Sequence, residues 1–499
     1  MRYKLKYITT AALAVGILAG CKKSYLDIND NPNQVTETKI TSDLILPFAL
    51  HNAGTQATAY GFLNHWMGYW SPSGSFAPNQ EETTYNITGN FGQARWNALY
   101  NMLYDFHNVE LKAPQEGNHF YAGIAKVMKA RYFQDLVDIF GNVPYTQAFR
   151  LREFPTPKFD KGQDIYADLQ VQLDSAISIF KNKPAPAKAA TVDIMFKGNK
   201  TLWIKLANTL KLRLLIRQSE IPGFTPTAEL AKIQAEGGVL MSGETADVNP
   251  GYLNETGKQS PFYGAFGFTT TGANASEFER ANNYILGILK GNSDPRLSRY
   301  FRPATSPSNP SDPYIGTTYG APSNDLYNGQ RTAAMGPGVA GSASQDQWIL
   351  TSVESMFLYA EAVARGWLPG NAQAAYENAV RESFIWLGVP NAVTAANTYM
   401  ANNASANWAN AGATVMDRVR FIVYQKYLAL VGINPLEAWS DYRRLGIPTN
   451  LALSVNPGRI GTGLPVRLLY PTSEYAVNSS NVQAEGSVNQ FSSRIFWDQ

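Results

Sequence analysis

The stretch from Ile349 to Leu387 constrains the fold more than any other in the chain. Its first half places Ile349, Val353, Met356/Phe357, Ala360, Val363/Ala364 and Trp367 at three-four intervals, which is one apolar face of a helix. Gly366 and the run Pro369-Gly370-Asn371 end that helix, because glycine accepts a left-handed cap and proline cannot extend the hydrogen-bond ladder. A second helix carries Ala375/Tyr376, Ala379/Val380, Phe384 and Leu387 inward and closes at Gly388 and Pro390. Small alanines facing large rings let two antiparallel helices approach closely and interdigitate. The hairpin has the size of one tetratricopeptide unit.

The same spacing recurs along the chain. It predicts helix pairs near 96–140, 163–216, 349–387 and 415–445, with one more helix from Ser42 toward Thr58 that holds Pro47. Within 163–216, Trp203 to Ile216 reads as a helix buried on most sides. The starts keep no constant period, so the pairs are not an uninterrupted solenoid. Residues 238–346 are rich in Gly, Pro, Ser, Thr and Asn and read as a loop-rich lobe, with one helix near Glu277–Lys290. The expected fold is therefore mainly α: tetratricopeptide-like helix pairs (an αα superhelix) carrying a large loop-rich lobe with few short strands.

At its start the chain has a basic segment, a short apolar run from Ile8 to Leu18, and then Leu18-Ala19-Gly20-Cys21. The run is too short to span a bilayer and has the shape of a secretory leader. Small residues before the chain's single cysteine resemble a bacterial lipobox, so residues 1–20 read as a lipoprotein signal peptide, Cys21 as the lipidated residue, and 21–499 as a single domain. One cysteine excludes an intrachain disulfide and a cysteine-based zinc site. Arg2, Lys4 and Lys6 account for the formal charge of +3; the remaining basic residues balance the 39 acidic ones. That balance argues against nucleic acid and against a polybasic membrane patch.

Catalytic signatures are missing. His51, His65, His107 and His119 lie too far apart for an H-E-x-x-H zinc helix, and neither a G-x-S-x-G elbow nor a phosphate-binding P-loop occurs. Gly336-Pro337-Gly338-Val339-Ala340-Gly341 matches a dinucleotide fingerprint by letter, but without a strand before it and a helix opening on it. The chain reads as a non-enzyme with no metal and no cofactor.

Several segments together carry a family resemblance. Leu26-Asp27-Ile28-Asn29 with Asn31-Pro32-Asn33, FQDLVDIFGNVPYTQAF (133–149), WIKLANTLKLRL (203–214), Ser293-Asp294-Pro295-Arg296-Leu297, SVESMFLYAEAVARG (352–366), EAWSDYRRLGIP (437–448) and LPVRLLYPTSEYAVN (464–478) resemble the motifs of the SusD/RagB family. Read physically, Gly141 and Pro144 stop a helix, while Asn208, Arg213 and Arg443 are placed to satisfy buried loop carbonyls. The resemblance implies a lipid-anchored outer-membrane protein, exposed at the cell surface. It would capture a nutrient, a glycan first and a peptide as the alternative, and deliver it to a TonB-dependent (SusC-like) transporter. A lipid-anchored helical adaptor that binds only protein is a second reading of the same helices.

The resemblance names no ligand residues, so those are read from the loops. Asn64 to Asn90 sets Trp66, Tyr69, Trp70 and Tyr85 among Gly, Pro, Ser and Asn, and the lobe adds Tyr263, Phe266, Tyr319 and Tyr327. Aromatic faces in long loops are candidates for stacking on sugar rings, with Asn64, Asn79, Gln80 and Asn90 near enough to meet hydroxyls. The expected ligand-binding residues are Trp66, Tyr69, Trp70, Tyr85, Phe266 and Tyr319. Each has a second role open to it, that of pinning its loop to the helices. Trp96 keeps helical spacing and belongs to the core.

Overall fold

The structure, a computed structural model, describes residues 40–498. Cys21 and the motif Leu26–Asn33 lie outside the described residues. The four pairs form close to where the spacing puts them. They are α1 (Gln93–Gln115) with α2 (His119–Phe140), α3 (Gly162–Asn182) with α4 (Lys200–Arg217), α5 (Ser352–Ala364) with α6 (Ala372–Trp386), and α7 (Val415–Ala429) with α8 (Pro435–Leu445). Helix α2 packs on α3, α4 on α5, and α5 on α7, so the pairs stack in sequence order although the lobe interrupts the chain between the second and third. A separate helix, Ser42–Thr55, contains Pro47 and lies along α1.

Local signals set the helix ends. Thr351 accepts a hydrogen bond from the Glu354 N–H and starts α5, and Asn371 accepts from Ala374 to start α6. Gly141, at φ 80°, ends α2 where a Cβ would meet the Arg467 guanidinium. Helix α5 is more deeply buried than its single apolar stripe predicts. Phe357 and Ala360 face the main core, while Leu358 and Ala362 pack with Leu212, Leu215, Leu230 and Ile233 in a second cluster. Two cores on opposite sides leave only Tyr359 of that helix partly exposed.

From Leu206 to Arg217 every residue of α4 is buried, charged side chains included. Arg213 and Arg217 meet the carboxylates of Asp135, Asp138 and Glu437. Arg213 thus binds carboxylates and not the loop carbonyls expected for it. Asn208 does bind loop carbonyls, those of Glu236 and Gly238, and Arg443 donates to the carbonyls of Asp138 and Val466.

The strands are short and pair antiparallel in twos. They are β1 (Trp70–Pro72), β2 (Val143–Pro144), β3 (Phe159–Asp160), β4 (Ala246–Val248), β5 (Glu279–Ala281), β6 (Phe301–Arg302), β7 (Ala334–Met335) and β8 (Gln347–Leu350). Pairing of β4 with β8, Ala246 opposite Leu350, clips the two ends of the lobe together just before α5 begins. Pairing of β1 with β5, Trp70 opposite Ala281, ties the 64–90 loop to the lobe. The helix expected at Glu277–Lys290 is therefore shorter. Glu279–Ala281 is drawn into strand by its partner, and the helix runs Asn283–Gly291 behind an Asn282 cap. Helices at Thr227–Ala235 and Ala392–Asn402 carry apolar stripes too short to be read from spacing alone.

Candidate ligand-binding pocket

The pairing of β1 with β5 brings two irregular segments face to face. The Gly74 N–H donates to the Tyr327 carbonyl at 2.7 Å, and the Asn324 N–H donates to the Gly74 carbonyl at 2.9 Å. A Cβ on Gly74 would sit 2.0 Å from the Asn324 carbonyl oxygen, so only glycine permits this approach. Residues 71–78 form one wall and 317–327 the other, around a pocket of about 310 Å3.

Serine, threonine, asparagine and proline dominate the lining, and none of its side chains is charged. Asn283 bridges the floor, donating to the Thr318 hydroxyl at 3.1 Å. The Thr317 hydroxyl is buried and has no hydrogen-bond partner among the described residues. A buried polar atom without a partner is costly. Two aromatic rings stand in the lining with large exposure, Phe76 at 39% and Tyr327 at 42%. Phe76 is braced edge-on by Phe278, with ring centroids 5.1 Å apart.

The aromatics expected to bind ligand lie behind this surface. Trp66, Tyr69, Trp70, Tyr85 and Tyr319 are buried, and none lines the pocket. Trp66 stacks on Phe91 and meets Tyr85 and Trp439 edge-on. Tyr69 stacks on Tyr427 at 4.8 Å, and each hydroxyl donates to a backbone carbonyl beside the other ring. Trp70 packs against Phe266, itself only partly buried and turned to the core. The Tyr85 hydroxyl accepts from the Ser454 N–H. These rings pin the loop onto the helices, because a large apolar face gains more from burial than from waiting in water for a ligand. Of the polar neighbours, Asn64 is buried and Asn79 caps a short helix at Gln80–Thr84. Phe76 has only Ser, Gly, Ala and Pro about it, but the buried Tyr319 stands among Thr, Gly, Ala and Pro as well, so sequence neighbours do not separate the exposed rings from the pinning ones.

Below the pocket, His65 is clamped between two carboxylates. Its Nδ1 lies 2.7 Å from Glu82 and its Nε2 2.7 Å from Glu279. Burial works against the imidazolium, but the Glu279 and Glu82 charges outweigh it and hold His65 up at about 10. Tyr319 leans on the imidazole at 5.6 Å and donates its hydroxyl to Glu82. The clamp joins the 64–90 loop to strand β5 of the lobe through Glu279, and to Tyr319 through Glu82.

Among the described residues no group of three or more His, Cys, Asp and Glu side chains converges as a metal would require. No described helix is long and apolar enough to cross a membrane.

A family profile described as SusD-like, starch-binding and associating with the outer membrane matches residues 32–471. The chain belongs to the SusD-like family. Solved structures of the same family superpose along nearly its whole length. A SusD homologue from Bacteroides fragilis is 22% identical, with a TM-score of 0.74, over 92% of this chain and 99% of that one. A SusD-like protein from Bacteroides thetaiotaomicron is 25% identical, with a TM-score of 0.72, over 92% and 98%. A chitin-binding SusD homologue from Flavobacterium johnsoniae is 23% identical, with a TM-score of 0.74, over 91% and 98%. No curated protein sequence matches the chain. Of the quoted motifs in the described residues, those at 133–149, 203–214, 352–366 and 437–448 fall on the helix pairs and their ends, those at 293–297 and 464–478 fall outside them, and none lines the pocket.

Proposed function

We propose that this SusD-like chain captures an uncharged glycan in the pocket between residues 71–78 and 317–327. The observation that carries this reading is the lining: hydroxyls and amides without a charged side chain, and the rings of Phe76 and Tyr327 left in water. Sugar rings offer C–H faces to aromatic planes and hydroxyls to Ser, Thr and Asn. The same lining offers no charged side chain to pair with a carboxylate, sulfate or ammonium. The chitin-binding neighbour supports a glycan over a peptide.

Calorimetry with neutral oligosaccharides tests this. A shallow stacking site should bind in the micromolar to millimolar range, about 4–8 kcal/mol. Each ring is expected to contribute about 1 kcal/mol, so Phe76→Ala/Tyr327→Ala should weaken binding roughly tenfold or more. Unchanged affinity in a folded double variant would move the site elsewhere, and binding of peptides alone would replace the glycan.

Delivery belongs to the same proposal. A lipid on Cys21 would hold the chain at the outer membrane, where tethering raises its effective concentration at a TonB-dependent transporter. Cys21→Ala is expected to leave the protein uncleaved or released on membrane fractionation. Fractionation and maturation like the parent would remove the anchor from this account.

A further inference from the structure

A second pocket, of about 280 Å3, lies between α1, α2, α3 and the segment Tyr145–Arg150. Its lining is charged where the first pocket is neutral. Lys129 donates to Glu110 at 2.7 Å, Lys126 reaches the other Glu110 oxygen at 2.7 Å, and Lys126 also donates to Gln172 at 2.7 Å. Gln172 in turn donates to Asp168 at 3.2 Å, and the Tyr145 hydroxyl donates to the same carboxylate.

These groups form one polar chain along the wall, and its two ends differ. At the far end Asp168 accepts hydrogen bonds from both Gln172 and Tyr145. At the near end the Lys129 ammonium uses one donor on Glu110 and has two more, which no described residue accepts. Glu110 is already shared between two lysines, so this end carries an excess positive charge. His107 stands beside it, and burial together with the Lys129 charge pushes its imidazole down to about 4, leaving it neutral near pH 7. Phe149 closes the pocket with its backbone held left-handed at φ 65°, a costly conformation for a phenylalanine. Its ring is fixed there by His107 at 5.2 Å, Tyr104 and Phe133.

We propose that this pocket binds a small carboxylate, received by Lys129 beside His107 and backed by the Phe149 ring. A ligand that accepts hydrogen bonds and carries negative charge fits best, since the Lys129 ammonium at the open end offers only donors. An acidic sugar and the carboxylate of a short peptide share that chemistry, and the probes distinguish them. This site is independent of the neutral pocket, and so is its test.

The experiment is NMR titration of the full folded chain with glucuronate, with acetyl-dialanine, and with glucose as the uncharged control. A carboxylate within reach of Lys129 should raise the His107 pKa from its depressed value, visible in the imidazole resonances, and glucose should leave it unchanged. Lys129→Gln should weaken the carboxylate at least tenfold, Lys129→Arg should hold it within a few-fold, and Tyr327→Ala should have no effect. Saturable binding of glucuronate alone assigns an acidic sugar, and binding of acetyl-dialanine alone a peptide terminus. Carboxylate titrations that leave the His107 resonances unmoved in the parent overturn the proposal, as does equal binding to Lys129→Gln. The His107 readout needs no variant, so a variant that fails to fold does not rescue the proposal.

Discussion

Glu437→Ala is expected to destabilise the protein by about 3–5 kcal/mol, a large part of the 5–15 kcal/mol or so that holds a typical domain together. Glu437 sits fully buried in the first turn of α8 and is the shared anion of three cations. Arg217 binds both of its oxygens, Arg213 donates to one at 3.1 Å, and Lys426 donates to the other. Removing the carboxylate leaves Arg213 with Asp135, Arg217 with Asp138 and Lys426 with Asp441, so three buried cations share too few anions where water cannot replace the one lost. Burial disfavours the Glu437 anion, but Arg217, Lys426 and Arg213 hold its carboxyl well below the usual range. A carboxyl depressed in the folded state stabilises above its unfolded pKa, near 4.5, and that contribution drains away as pH falls below it toward the folded value. Urea unfolding of parent and variant at pH 7 measures the effect. A difference under about 0.5 kcal/mol would mean that the cations find other partners, such as Asp441, which lies 3.0 Å from Lys426.

This cluster shows what the sequence made legible. Asp135 and Asp138 come from FQDLVDIF, Arg213 from WIKLANTLKLRL, Glu354 from SVESM, and Glu437 from EAWSDYRRL. Each segment resembles a family motif by itself, yet their charges meet in one buried place. The helices were readable because three-four spacing is local and repeats over several turns. The strands were not, because two to four residues show no period and Glu279–Ala281 becomes a strand only beside Trp70–Pro72. The pocket fell between these cases. Long loops with aromatics point to the segments that wall the pocket, but ring content does not separate rings that pin from rings that face water. Trp66 follows Leu63 by three residues and turns inward with it, whereas Phe76 has no apolar partner at helical spacing.

The second large effect is expected at His65, and it links stability to the neutral pocket. His65→Ala would leave Glu82 and Glu279 facing one another in a buried site, at a cost of about 3–5 kcal/mol. In the parent the clamp depends on pH in a definite direction. The folded pKa of about 10 lies above the usual 6.5, so the stabilisation is complete below about pH 6.5 and is lost as pH rises through 10. Between pH 6 and pH 10 the parent should therefore lose stability more steeply than the variant, and the gap between them should narrow. Denaturation curves at several pH values check this, and parallel slopes would show that His65 is not charged in the fold. The effect should reach the ligand as well. Glu82 adjoins Thr83 and holds Tyr319, while Glu279 lies in the strand paired to Trp70–Pro72, so each carboxylate anchors a segment that lines the pocket. Affinity for a neutral glycan should then fall over the same pH window, although the pocket lining itself holds no Asp, Glu, His, Lys or Arg. Affinity that stays level while stability drops would show that the clamp does not hold the pocket walls.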